Sequence, residues 1–447
     1  MYTAKCYFYE RVSLLRQASA VYMADFKIVE IAPGVRIVSV KTGMFKTGRI
    51  IMSMAMPIEK NTAAQALLPF YLRRACKQYP DFTELNGRLN ELYGTKLSAG
   101  VSKFGELQQM SINMSFIDDR FSLTDESISA ECIKLITGLL FEPLTANGSF
   151  VEKNIEQEKR LLIERRRSEL DDKIVYARTR CEEIMCANEP YGRNVYGTEE
   201  EISALTTDDV YNAWQSVLRE SIIQFTVVSS ADTGEIEAVL KEKFSGVQRS
   251  VIEKRAVEIK KADKVKYVNE SQPVKQGKLV MGLRAANGAP EENRFKNLIM
   301  TDLFGGGPHS KLFMNVREKM SLCYYCRARF LRSNAIMFIE SGIETQNEEK
   351  ARQAIIDQLN NVKNGDFTED ELNASKMSVS DSLQTYNDTP EVLAAWYSMQ
   401  AADEKLVSLS DACEGVRKVT RQDVIDMSRS IELDTVYMLS GTEGGEA

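Results

Sequence analysis

Gly305-Gly-Gly-Pro-His-Ser-Lys-Leu-Phe-Met-Asn-Val-Arg-Glu-Lys-Met-Ser-Leu-Cys-Tyr324 is the stretch whose reading decides the fold. Three consecutive glycines close a helix predicted for Phe295–Leu303, because glycine weakens a helix and tolerates the turn beyond it. Pro308 blocks re-entry into that helix, and a second helix is expected over Ser310–Lys319. The apolar run Leu322-Cys-Tyr-Tyr-Cys326 then reads as a strand. Arg317 falls near the end of the helix and Tyr324 on the strand, a geometry that can bring both to one surface.

Upstream, Lys278-Leu-Val-Met-Gly282 is a strand candidate, preceded by the polar, irregular segment Ser245–Gln276, which reads as a linker. The first part of the chain carries similar punctuation. Val35–Val40 and Arg49–Met56 are rich in strand-forming residues. Thr62 opens a helix whose apolar positions Ala64, Leu67, Leu68, Tyr71, Leu72 and Ala75 predict one buried face, with Pro69 bending it or resetting its start. A helix over Glu84–Leu92 and strands over Leu97–Phe104 and Gln108–Phe116 follow. Charged helical sequence spans about Glu152–Ala187 and stops at the turn Asn188-Glu-Pro-Tyr-Gly192. Thr206-Thr-Asp-Asp-Val210 and Thr420-Arg-Gln-Asp-Val424 each precede a short helix and then a strand, Gln224–Val228 and Thr435–Leu439. Each T-x-x-D predicts a capped helix start. Their matching positions predict a tandem duplication of one α+β unit.

The composition narrows the functional classes. The chain has 447 residues, enough for two or three domains, with 43% hydrophobic and 27% charged residues. A net charge of -7 with interspersed signs argues against a nucleic-acid-binding face. Lys159-Arg160 and Arg165-Arg166-Arg167 are flanked by acids and read as a solvated helix face. Met1–Ala20 holds no apolar run of signal-peptide length, so a cytoplasmic protein with reduced thiols is expected from its eight scattered cysteines. Cys323 and Cys326, three apart on a strand, are expected to point to opposite faces, and no second C-x-x-C completes a zinc site. There is no P-loop, nucleophile elbow or dinucleotide fingerprint.

The segment Gly305–Tyr324, with its glycine turn, Leu-Phe, Val-Arg-Glu, basic residue, Leu and Tyr, resembles the pitrilysin/insulinase-type metallopeptidase family, in particular its half-size, mitochondrial-processing-peptidase-like branch. Tyr191-Gly-Arg-Asn-Val-Tyr-Gly-Thr-Glu-Glu-Glu-Ile-Ser-Ala-Leu-Thr206 is similar to a second family segment, and the resemblance runs in order from about Phe26 to Ser440. It implies two tandem homologous domains, each a mostly antiparallel sheet packed with helices. Residues 1–244 would form the first, 245–276 a linker and 277–447 the second. The chain also resembles a bacterial subgroup lacking the metal motif, some members of which are associated with elongation factor P modification.

Active relatives bind zinc through H-x-x-E-H on a helix and a later glutamate, the motif's own glutamate acting as general base. This chain holds one histidine, His309, so the two-histidine cradle cannot be assembled. By resemblance the motif falls on Ala66-Leu-Leu-Pro-Phe70, and Arg165 takes the third-ligand position, near Glu158. No metal site and no catalytic residue are expected here. His309 is expected to be a loop or cap residue.

Arg317 and Tyr324 match the family residues that hold substrate across the chamber. Guanidinium and phenol are donors suited to a peptide carbonyl or an oxyanion. Ser321 departs from the family's glycine, and the turn there is expected to be altered. The resemblance thus implies a non-catalytic, substrate-binding subunit of a heterodimeric peptidase. Its homologous partner would carry H-x-x-E-H and the zinc. A structural scaffold, or a stand-alone peptide-binding protein, is the alternative, with a homodimer possible in isolation.

Overall fold

A computed structural model describes residues 26–441 except Lys60, Asp125, 254–259, Asp263 and Ala289. The N-terminal stretch read for a signal peptide, and Cys6 within it, lie outside those residues.

Two sheets organise the chain. The first contains β1 (Phe26–Ala32), β2 (Val35–Lys41), β3 (Thr47–Pro57), β4 (Lys96–Phe104), β5 (Leu107–Ile117) and β8 (Ile222–Ser229), in the order β1-β2-β8-β3-β5-β4. A two-residue ladder, β6 (Thr145–Ala146) with β7 (Ser149–Phe150), lies apart from it. The second sheet contains β9 (Lys266–Gln272), β10 (Gly277–Ala285), β11 (Cys323–Leu331), β12 (Ile336–Ile343) and β13 (Ile431–Gly441), in the order β11-β12-β10-β13-β9. Read from its other edge, the first sheet runs β4-β5-β3-β8-β2, the same connectivity. In each the only parallel pair among the described strands is the matching one, β2 with β8 and β13 with β9. The expected α+β duplication is present.

The helices repeat as well. Helices α1 (Thr62–Leu72), α2 (Glu152–Asp171), α3 (Lys173–Met185) and α4 (Thr207–Glu220) come from the first half, and α5 (Arg294–Gly305), α6 (Glu369–Gln384), α7 (Pro390–Ser398) and α8 (Arg421–Arg429) from the second. Helix α1 packs on α2 and α4 as α5 packs on α6 and α8. Thr206 and Thr420 each close a reciprocal capping box, with Asp209 and Asp423, so both T-x-x-D signals do what their chemistry predicts.

Four expectations need correction. Helix α1 is buried on every side, and it runs through Pro69 from Thr62 without resetting. Its mean composition is apolar enough to sit among the sheet, α2 and α4 with no polar face. The charged run after Glu152 is two helices, broken at Asp172, whose carboxylate accepts from the Ile174 and Val175 amides and caps the second. Strand β9 lies inside the segment read as a linker. It is an edge strand with one side exposed, so it carries no continuous apolar run to announce it.

The fourth correction concerns the boundary between halves. Helix α3, from the first half of the sequence, covers the second sheet, burying Ala177, Cys181 and Met185 against Val280, Phe338 and Tyr437. Helix α7, from the second half, covers β3 and β8 of the first sheet. There the Ser53 and Ser398 hydroxyls lie 2.7 Å apart, and Gln224 Nε2 donates to the Tyr397 carbonyl at 2.8 Å. Each half therefore lends one helix to the other's sheet. Amphipathic patterning shows that a helix has an apolar face but not which sheet receives it.

Candidate functional site

The motif position of the first half is built from α1 and α2. Ala66 and Phe70 are buried, and the Arg165 guanidinium sits over the Phe70 ring with Cζ 4.1 Å from the centroid. The two positions assigned by resemblance to metal ligands are thus neighbours in space, but they hold a cation and an aromatic face. Glu158, almost fully buried, accepts from Arg74 at 2.6 Å, and Glu169 accepts from the Tyr196 hydroxyl at 2.7 Å. A cleft of about 440 Å³ remains beside Phe70, Arg73 and Arg165. Zinc needs imidazole, thiolate or carboxylate donors, and a guanidinium repels it. The residues present do not fit the ion. Among the described residues no group of three or more histidine, cysteine or acidic side chains is arranged to hold a metal.

The basic segments of α2 differ from the solvated face expected of them. Arg167 is exposed and pairs with Glu199 at 2.6 Å. Lys159 is buried and donates to the Leu205 carbonyl at 2.9 Å and to Glu156 at 2.8 Å. Arg165 is taken up by Phe70. Charge density in the sequence does not distinguish these fates.

The second candidate surface lies around Arg317 and Tyr324. The expected helix is a π-helix, Leu312–Lys319, whose C-terminal end is capped by the Met320 amide reaching the Asn315 carbonyl at 3.1 Å. Such i→i+5 segments are rare and concentrate at functional sites. Arg317 lies half-exposed over the Phe313 ring, 4.4 Å from its centroid, with Glu318 at 3.5 Å. The π-helix packs on β11, where Tyr324 is 61% exposed. Among the described residues neither the Arg317 nor the Tyr324 side chain donates a hydrogen bond.

Two details shape this surface. Ser321 has φ +51°, the left-handed conformation a glycine would adopt freely. The turn thus holds a serine in a strained backbone. Strand β11 also contains a bulge: Cys323 pairs with Ile343, Tyr325 with Gly342 and Cys326 with Ser341, leaving Tyr324 as the extra residue. The bulge swings Tyr324 outward and returns both cysteines to the same buried face. The expectation of opposite faces is overturned, because the alternation of a strand holds only while its register is regular.

His309 is tied down as a loop histidine. Its Nε2 lies 2.7 Å from Asp302, which also accepts from Ser378.

Fold and site together define a duplicated, metallopeptidase-type α+β chain whose described residues hold no metal-ligand cluster. Residues 204–379 match the Peptidase M16 inactive domain. The probable inactive metalloprotease YmfF of Bacillus subtilis (strain 168) is 32% identical over 409 residues, covering 91% of this chain and 95% of that one. A conserved protein from Enterococcus faecalis V583 superposes with a TM-score of 0.84 at 22% identity, covering 95% of this chain and 100% of that one. The peptidase M16 inactive domain from Pseudomonas fluorescens superposes with a TM-score of 0.78 at 14% identity, covering 95% and 100%. The chain belongs to the M16, or pitrilysin/insulinase-type, peptidase family and is an inactive homologue within it. No helix among its described residues is long and apolar enough to cross a membrane.

Proposed function

We propose that this chain is the non-catalytic, substrate-binding subunit of a heterodimeric zinc metallopeptidase, whose homologous partner carries H-x-x-E-H. The observation that carries the reading is the pairing of a dismantled metal position with an intact donor surface. Tyr324 projects into solvent and Arg317 is half-exposed, held over Phe313 and beside Glu318 but donating no hydrogen bond among the described residues, whereas Phe70 is buried beneath Arg165. The partner would supply metal, water and general base. Arg317 and Tyr324 would donate to the peptide carbonyl and to the oxyanion that develops on it. A cytoplasmic complex fits the seven described cysteines, all free thiols.

The test is co-expression with an H-x-x-E-H-bearing homologue, followed by metal analysis and cleavage of a peptide library. Arg317→Ala combined with Tyr324→Phe is expected to lower turnover while the complex still forms. Unchanged turnover overturns the two roles. A stable complex that cleaves nothing favours a scaffold, and peptide binding by the chain alone favours a stand-alone binding protein.

A further inference from the structure

Two free, buried thiols, Cys323 and Cys326, flank Tyr324 and Tyr325 on β11. The β11 bulge places Cys323 and Cys326 opposite Ile343 and Ser341, two residues apart on β12, so their side chains are same-face neighbours. They are therefore about 7 Å apart at Cα by the rise of a strand. Both thiols are buried, and Cys323 directly precedes the bulged Tyr324. Ser341, the cross-strand partner of Cys326, donates its hydroxyl to the Tyr325 carbonyl at 3.0 Å.

We propose that Cys323 and Cys326 form a reversible peroxide-oxidised dithiol whose closure to a disulfide shifts the bulge carrying Tyr324. The two thiols are unequal. Hydrogen bonding from Cys326, with smaller help from Ser341 and Arg317, holds the Cys323 thiol below the usual range despite its burial. The bond to Cys323, together with burial, pushes Cys326 well up. Cys323 is the nucleophile: its thiolate attacks the distal oxygen of a hydroperoxide, the O–O bond breaks, and an alcohol or water leaves with Cys323 as a sulfenic acid. Cys326 resolves it: its sulfur attacks Cys323 Sγ, the S–S bond forms, and the hydroxyl departs as water with the Cys326 proton. Overall two thiols lose two electrons and two protons to one peroxide. The Cα separation lies at or just past the roughly 4.4–6.8 Å that a disulfide spans, so closure must tighten the bulge. Tyr324 is the bulge's extra residue, so it moves with it. In the proposed heterodimer this would displace a peptide-binding group, and only that consequence rests on the subunit reading.

The test uses the full chain, reduced and then exposed to hydrogen peroxide, with peptide mapping by mass spectrometry. The expected product is a Cys323–Cys326 peptide lighter by two hydrogens and restored by dithiothreitol. Cys326→Ser should stop at a Cys323 sulfenic acid captured by dimedone, and Cys323→Ser should leave Cys326 unmodified. Hydrogen exchange over 322–327 should change several-fold on oxidation. Two thiols that stay reduced in the folded chain, yet react once it is unfolded, overturn the proposal. So does a disulfide that leaves exchange at β11 unchanged. Neither readout needs a partner or a peptide, so failure here is separate from failure of the heterodimer.

Discussion

The guanidinium of Arg165 caps the ring of Phe70, Cζ to centroid 4.1 Å, joining helix α2 to helix α1. The attraction is that between a cation and the negative face of a ring quadrupole. The contact keeps α1 and α2 adjacent without a metal.

That contact should be measurable. Arg165→Met, Phe70→Leu and the double variant are expected to show a coupling of about 0.5–2 kcal/mol in a denaturation cycle, the range for a cation–π pair between exposed and desolvated limits. Additive effects would show that the two side chains merely share a cleft. Tightly bound zinc with chelator-sensitive proteolysis in the chain alone would contradict its inactive character.

Ser321 offers a second measurement. Its left-handed backbone costs an L-residue about 1–2 kcal/mol, while glycine's extra freedom in the unfolded chain takes back about 0.5–1 kcal/mol. Ser321→Gly should therefore stabilise the protein by up to about 1.5 kcal/mol, whereas Ser321→Val should destabilise it. An unfolding midpoint that falls with glycine would show that the serine side chain contributes something the backbone does not reveal.

Loss of either donor on the second surface should act on chemistry more than on assembly. In a reconstituted heterodimer, Arg317→Ala alone is expected to lower kcat by about a hundredfold, the usual loss for one oxyanion donor. A purely raised KM would assign Arg317 to ground-state binding instead.

Acid should loosen the lent helix α3. Glu270 on β9 accepts from Arg180 at 2.9 Å, from Tyr176 at 2.9 Å and from Tyr437 at 2.9 Å. Burial raises its pKa, but these bonds, with Arg180 first among them, outweigh burial and hold it below the ordinary carboxylate value. A depressed folded pKa gives a contribution that is full above the unfolded value, near 4.5, and is lost as pH falls through the folded one. Protection of the amides in 173–185, taken relative to the intrinsic exchange rate at each pH, should fall below about pH 4.5 in the native chain. In Glu270→Gln it should already be lowered at neutral pH and respond less to acid; an unaltered acid response in the variant would move the effect to another carboxylate.

The exchange of α3 and α7 predicts that neither half folds alone. A chain ending at residue 250 would leave β3 and β8 without α7, and with it Leu393, Ala394 and Tyr397, which are all buried in the intact protein. It should bind hydrophobic dyes and fail to unfold cooperatively. Supplying the other half as a separate chain should restore both properties. A cooperative, dye-silent first half would show that the lent helix is dispensable.

By itself, the sequence determined what depends on residue identity or on neighbours a few positions away. A single histidine excludes a two-histidine site whatever the fold. Thr206 and Thr420 announce their caps because a capping box closes within three residues. Arg317 and Tyr324 could be placed on consecutive elements for the same reason. Only the tertiary structure decided which face Cys323 and Cys326 share, because the bulge exists in the pairing of β11 with β12 and not in β11 alone. It also decided that β9 is a strand, that α3 and α7 cross between halves, and that Arg165 rests on Phe70. Those outcomes are set by contacts between residues far apart in the chain, and a local pattern of apolar and polar residues does not encode its partner.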